Sequence, residues 1–259
     1  MNDNLANLLG ALRGMTTLVW AQRCTPRALI WMAVSAGFAG LLMVLTIQPG
    51  RGGDWLMWVV GFYLQFLVPL ACLNVCGSMI RSELQANTLS FLTTRPLRRH
   101  TIFLMQYLCH VCWLQGVFLV CTLLLFGLGV ALGIGGLGKL LVLFVFTQML
   151  AVFAWGALSA LLGLLHQRYM VIGIIYWLIV EVGTGMVEVS NINQFSMLRH
   201  VHTLLAQHES VYKVFGNWAG DAAGMAAAVM MLATLFFLAA GALLFTFREY
   251  LPSHEAGQQ

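Results

Sequence analysis

Two glutamates, Glu181 and Glu188, are the side chains of this sequence best placed to do chemistry. They stand seven residues apart, so on a helix they share a face. Both interrupt an apolar run that starts at Tyr169 and contains Gly183 and Gly185. At 1.5 Å per residue, Glu181 lies roughly 18 Å along that run. If the run crosses a bilayer, an ionisable group at that depth reads first as part of a pathway or gate. The other reading is structural: a protonated or hydrogen-bonded carboxyl facing protein. A polar stretch follows, with Asn191, Asn193, Gln194, Arg199, His200, His202, His208, Glu209 and Lys213. His200-x-His202 offers two ring nitrogens to a metal, but outward-facing polar histidines explain the pair more simply. No metal site and no catalytic set is assigned.

Two further patterns imitate chemistry. Gly133-Ile-Gly-Gly-Leu-Gly138-Lys139 has the G-x-x-x-x-G-K spacing of a phosphate loop. The next residue is Leu140 rather than Ser or Thr, and no strand precedes it. The segment is read as a turn between two apolar helices, and the chain itself binds no nucleotide. Cys109, His110 and Cys112 resemble metal ligands on paper. On a helix, however, neighbours 109 and 110 point about 100° apart. The six cysteines, including Cys24, Cys72, Cys76 and Cys121, fall in predicted spans or on one side of them, so no structural disulfide is expected.

The elements that carry these residues are membrane helices. Of 259 residues, 60% are hydrophobic and 8% charged, against roughly 25% charged in soluble domains. Spans of about 20 apolar residues suffice to cross a bilayer. Six are predicted, at about 28–47, 55–79, 102–132, 140–165, 169–189 and 224–247. The third is longer than a crossing requires, and the fifth is interrupted by its glutamates and glycines. The apolar runs are continuous rather than alternating, which excludes a barrel. The fold class is therefore all-α, a single transmembrane domain over 1–259. The formal charge of +4 reflects topology, not nucleic-acid binding.

With both termini inside, nine basic residues fall in inner segments: Arg13, Arg23, Arg27, Arg81, Arg95, Arg98, Arg99, Arg168 and Arg248. Four fall outside: Arg51, Lys139, Arg199 and Lys213. This asymmetry places the termini in the cytoplasm. Residues 1–27 have Leu8, Leu9, Leu12, Met15, Leu18, Val19 and Trp20 at spacings that permit one apolar face. They read as an interfacial helix ended by Pro26, or as a partly disordered tail.

The most polar stretch between spans is the island Ile80 to Thr101, with four of the thirteen basic residues. Ser82 and Gln85 form a capping-box pattern. Leu84, Thr88, Phe91 and Leu92 then recur on one face, and Arg95-Pro96 stops the helix. This predicts a short amphipathic helix across the cytoplasmic surface. It either lies on the membrane without a partner or docks a soluble protein.

The pattern Gly77-x-x-x-Arg81-x-Glu83-x-x-x-x-Thr88-Leu89-x-x-Leu92-x-Thr94-Arg95-Pro96-x-x-Arg99 resembles that of ABC-2-type permeases. These are membrane subunits of a class of ATP-binding-cassette transporter, type V. Asn87 stands where many members have Gly. The resemblance implies a coupling helix at 80–100 that sits in a groove on a separate cytoplasmic ATPase dimer. Glu83 and Arg95 would make charged contacts there, Leu89 and Leu92 would fill the groove, and Thr88, Pro96 and Arg99 complete the motif. His166-Gln-Arg168 would form a smaller second contact. It also implies that 183–223 forms re-entrant segments at the outer surface, open to a periplasmic partner. A second copy or a homologous permease would complete the pathway. ATP and Mg would be bound by the partner and no cofactor by this chain, which would lie in a bacterial inner membrane. It would not itself be an enzyme.

Two other classes stay open on the residues alone. One is a multi-span scaffold or biogenesis factor that docks a soluble protein. The other is an intramembrane enzyme using Glu181 and the histidines. Against the second, the mid-membrane polar residues are scattered glutamines, Gln65, Gln106, Gln115 and Gln148. Substrate and direction of transport are not legible.

Overall fold

The computed structural model describes residues 52–85, 98–184, 193–215 and 222–247, with scattered positions between 10 and 25. Side chains of 82–97 and 184–192 lie outside that description. So do the predicted first span, the island core 86–97, most of the N-terminal segment, and Glu188. Residues 10, 13–14, 16–17 and 19–21 are helical, with Trp20 exposed and Val19 buried.

The rest is helix. The chain runs unbroken through Gly52–Leu56, Met57–Leu67 and Val68–Gln85, together α1. Arg99–Ala131 is α2 and Leu137–Leu165 is α3. Tyr169–Tyr176 continues into Trp177–Thr184 as α4. Met197–Leu205 is α5, Glu209–Phe215 is α6 and Ala223–Phe247 is α7. Among the described residues there is no strand. Apolar runs of this length must be helical in lipid, because each backbone N–H needs a partner within its own segment. Among the described residues four helices, α1, α2, α3 and α7, are long and apolar enough to cross a membrane, and α4 is a shorter apolar helix. The 33 residues of α2 extend roughly 50 Å, well beyond the roughly 30 Å hydrocarbon core.

Helices α1 to α4 alternate in direction, and α7 runs the same way as α3. The island connects α1 to α2 at one end of the bundle, and the 166–168 turn connects α3 to α4 at that same end. Gly133–Gly136 turns α2 into α3 at the far end, with left-handed φ values of 80° and 77° at Gly133 and Gly136. Gly136 is the residue before the first turn of α3. The phosphate-loop spacing is thus a turn between helices.

Helix α3 is the hub. Ala151, Ala154, Gly156, Ala157, Ser159, Ala160 and Gly163 are all buried along it. Small residues let helix backbones approach closely, which membrane packing needs because lipid supplies no hydrophobic drive between helices. The approach is tightest where α1 crosses α3. A Cβ on Gly163 would collide with the Gly77 carbonyl oxygen, and one on Gly77 would lie 2.5 Å from the Tyr169 ring. At the far end the same logic seats the Trp55 indole 2.9 Å from where a Gly129 side chain would begin.

Large side chains face outward along the bundle: Leu119, Val120, Leu123 and Leu124 on α2, and Leu232, Leu235 and Phe236 on α7. Exposed apolar surface of this extent needs lipid or protein against it. The polar side chains turn inward. The Tyr63 hydroxyl lies 3.0 Å from both the Phe118 carbonyl and the Thr122 hydroxyl, and 3.1 Å from Gln148 Oε1. Thr122 donates in turn to Gln148 Oε1. One polar cluster therefore ties α1, α2 and α3 halfway along their length.

Candidate functional site

The groups with chemical potential gather at the two ends of the bundle, and α4 links them. At the island end, α1 delivers Arg81 to the close of α3. Its Nε donates to the Gly163 carbonyl at 2.8 Å. That carbonyl is one of the last four in α3, which have no partner within their own helix. A cation there also complements the negative end of the helix dipole. The Arg81 guanidinium carbon lies 6.0 Å from the centroid of the Tyr169 ring, at the first residue of α4. Arg81 therefore holds the end of α3 and the start of α4 at once. Gly77, one turn earlier, leaves the room that the Tyr169 ring occupies.

Exposed polar groups line this end: Arg98 and Arg99 where α2 begins, and His166, Gln167 and Arg168 in the turn. Arg98 is extended (φ −68°, ψ 141°) and precedes the first turn of α2. Of the predicted coupling residues, Glu83 falls on the last turn of α1 and Arg99 is the exposed first residue of α2. Thr88, Leu89, Leu92, Arg95 and Pro96 lie outside the described residues.

At the far end, Glu181 is fully buried. Its Oε2 accepts from the Ser196 hydroxyl and the Leu198 N–H, both at 2.8 Å. The Tyr176 hydroxyl approaches Oε1 at 3.5 Å. Ser196 caps α5, accepting from the Arg199 N–H at 3.4 Å. A carboxylate and a serine thus share the first turn of α5, the helix end that attracts negative charge. All nine residues of α5 are buried, including Arg199, His200, His202 and Thr203. His200 Nε2 donates to the Gln194 carbonyl at 3.0 Å. His202 Nε2 meets the Gln65 amide of α1, and its ring lies 5.3 Å from that of Phe215 on α6. Burial pushes the His202 imidazole down to about 4, so it is neutral at pH 7 and accepts from Gln65. The two histidines look to different partners, and among the described residues no group of three ligand-type side chains could hold a metal. On α2, Cys109 is buried while Cys112 is exposed, so that pair diverges.

Alongside runs an unusual backbone. Met57–Leu67 of α1 and Trp177–Thr184 of α4 are wound as π-helix. The N–H of Val68 accordingly reaches the carbonyl of Tyr63, five residues back. Such winding is rare and concentrates at functional sites. The two stretches touch: Trp177 Nε1 donates to the Gln65 carbonyl at 2.9 Å, and the Phe66 and Trp177 rings meet edge-on at 5.4 Å. Sequence reasoning missed this contact, the Ser196 cap and the role of Arg81. Ser196 ahead of a helical run was a readable capping signal. Nothing in residue types announces a π-helix.

Apolar outer faces, inward polar groups and crossing helices joined by close-packed glycines define a multi-pass membrane protein. Its sequence matches the family model described as ABC-2 family transporter protein over residues 25–184, more than half of the chain. The chain belongs to this family. The match takes in α1 to α4, the island and Glu181, and stops before α5. No curated protein matches the chain.

Proposed function

We propose that this chain is the permease subunit of an ATP-binding-cassette transporter. It couples ATP hydrolysis by a separate cytoplasmic ATPase dimer to export, or to force transmission, across a bacterial inner membrane. Family membership gives the class. The observation that carries the coupling is that the end of α1, the start of α2 and the 166–168 turn lie at one end of the bundle, with Arg98, Arg99 and Arg168 exposed there. Basic residues concentrated at one end are what a cytoplasmic face requires. Residues 80–100 act as the coupling helix, with Glu83, Thr88, Leu89, Leu92, Arg95, Pro96 and Arg99 as its contact residues. ATP and Mg are bound by the partner. A second permease copy, or a homologue, completes the pathway, with Glu181 and Glu188 at its outer gate. Six spans, the first at 28–47, bring both termini to the cytoplasm.

The test is co-purification of the ATPase with the tagged permease from membranes, using Glu83→Lys and Leu92→Asp. An unpaired aspartate buried in an apolar groove should cost several kcal/mol. Each variant should insert normally and lose the ATPase. Retention of the ATPase at wild-type level by both would remove the coupling assignment.

A further inference from the structure

We propose that α4 is a lever between the two ends of the bundle, gripped by Arg81 at its island end and gripping α5 through Glu181 at its far end. As a coupling device this rests on the permease reading above; as a mechanical linkage it stands on the contacts alone.

At the island end, α4 has no freedom to move independently of α1. Arg81 caps the Gly163 carbonyl at 2.8 Å and faces the Tyr169 ring. Gly77 and Gly163 are packed so closely that neither has room for a Cβ. One turn further, Gly173 of α4 abuts the Leu73 side chain, again without space for a Cβ. Helix α1 therefore holds the first two turns of α4 through a ring face and a glycine contact, while the same Arg81 caps α3. The same α1 runs on through Glu83 into the island. A displacement of the island must reach α4 at this point.

At the far end, α4 carries Glu181, whose Oε2 takes the Ser196 hydroxyl and the Leu198 N–H of α5. Helix α5 is buried along its length and packs on α3 and α7. Twelve residues separate Tyr169 from Glu181, roughly 18 Å of helix. Between the grips α4 exposes Val171, Ile174, Ile175, Leu178 and Ile179. Apart from Trp177 and its π-helical seam, its middle meets mostly apolar surroundings. A helix held at one end by a guanidinium on its first ring and a glycine contact, and at the other by hydrogen bonds to its carboxyl group, carries displacement from one end to the other. The transmission needs no contiguous chain of side chains, only two ends that share one rigid element.

The first arm uses the full chain in nanodiscs, without ATPase, followed by hydrogen exchange. Arg81→Met should speed exchange of the 197–205 amides roughly tenfold, as loss of one charge-assisted hydrogen bond would, while the α2 amides stay protected. Tyr169→Leu, which removes the ring face without a new charge, should act in the same direction. Unchanged exchange at 197–205, or a rise spread equally over α2, would overturn the lever. The second arm uses the complex with the co-purified ATPase. Mg-ATP with vanadate should change the labelling rate of a cysteine placed at Phe195, which is exposed beside the α5 cap. Arg81→Met should abolish that change while ATP turnover continues, and Glu181→Gln should abolish it as well; its persistence in both would overturn the lever. If the wild-type chain captures no ATPase, the permease reading fails and the exchange arm still decides the linkage.

Discussion

Glu181 Oε2 accepts the Leu198 N–H at 2.8 Å, seventeen positions on in sequence. The single acid of α4 is therefore bound to the first turn of the next helix rather than facing lipid. This satisfies the demand that a carboxyl at membrane depth face protein or water. Glu181→Gln keeps the shape but replaces one acceptor oxygen by a donor NH₂, which opposes the Ser196 hydroxyl and the Leu198 N–H. The variant is expected to assemble with its ATPase and lose transport or coupled ATP turnover. Glu181→Leu should also loosen α5, read as protease sensitivity between 193 and 215. Wild-type behaviour in both assays would leave Glu181 without a role.

Ser196→Ala removes the cap of α5 and one donor to Glu181. Loss of such a cap costs about 1 kcal/mol. A lowered thermal midpoint in detergent, with α5 exchange raised more than that of α3, is the expected result.

Gly163→Ala places a methyl against the Gly77 carbonyl. Overpacking of this kind costs about 1–3 kcal/mol, and more where backbone must move. Gly116→Ala, on α2 with open space around it, is the matched control and should leave stability unchanged or slightly improved. Size-exclusion profiles and melting curves of the pair separate close packing from a general intolerance of substitution.

His202 gives the outer region a pH dependence. Its folded-state value of about 4 lies below the ordinary histidine value, so the unfolded form binds the proton first as pH falls. The contribution of neutral His202 to α5 docking is complete above about pH 6.5 and is lost progressively down to about pH 4. Glu209, which faces Lys213 at 2.6 Å on α6, is held below its usual range by that partner; it is solvent-exposed, and its pair adds little. Exchange of the 197–205 amides should therefore rise between pH 6.5 and 4, and His202→Gln should flatten the dependence.

Cysteines placed at Arg98 and Lys213 report the topology. Both positions are exposed, and α2, α3 and α4 lie between them. Impermeant reagent should reach 213 from outside and 98 only after the membrane is opened. Labelling of both from one side would overturn three crossings between them.

Helix positions were legible because apolar runs in lipid leave the backbone no other choice. The spans read at 55–79, 102–132, 140–165 and 224–247 correspond to α1, α2, α3 and α7, with ends shifted by a few residues. Helix α3 starts at Leu137 because Gly136 supplies the left-handed residue before it. The predicted span 169–189 corresponds to α4, described to Thr184. Glu181 could be singled out from its depth alone, yet its partners could not. Ser196 and Leu198 reach it only because α5 folds back into the bundle, and a nine-residue helix with Arg199, His200 and His202 carries no hydropathic mark of burial. Arg81 was visible as a basic residue in a motif. Its cap on Gly163 depends on an α1–α3 crossing that only the glycines at 77 and 163 permit, and single-helix periodicity does not encode crossings.

The dense glycine and alanine face of α3 also sets an order on synthesis. Helices α1 and α2 leave the ribosome before α3, and they meet through the Tyr63–Phe118–Thr122 contacts. Gly77 and Cys76 then face the positions that Gly163 and Gly156 come to occupy. Until residue 163 has entered the bilayer, Arg81 lacks the Gly163 carbonyl that it caps. A chain stalled in the 133–136 turn thus lacks the helix that closes this seam, and closure of the bundle is postponed until α3 is inserted.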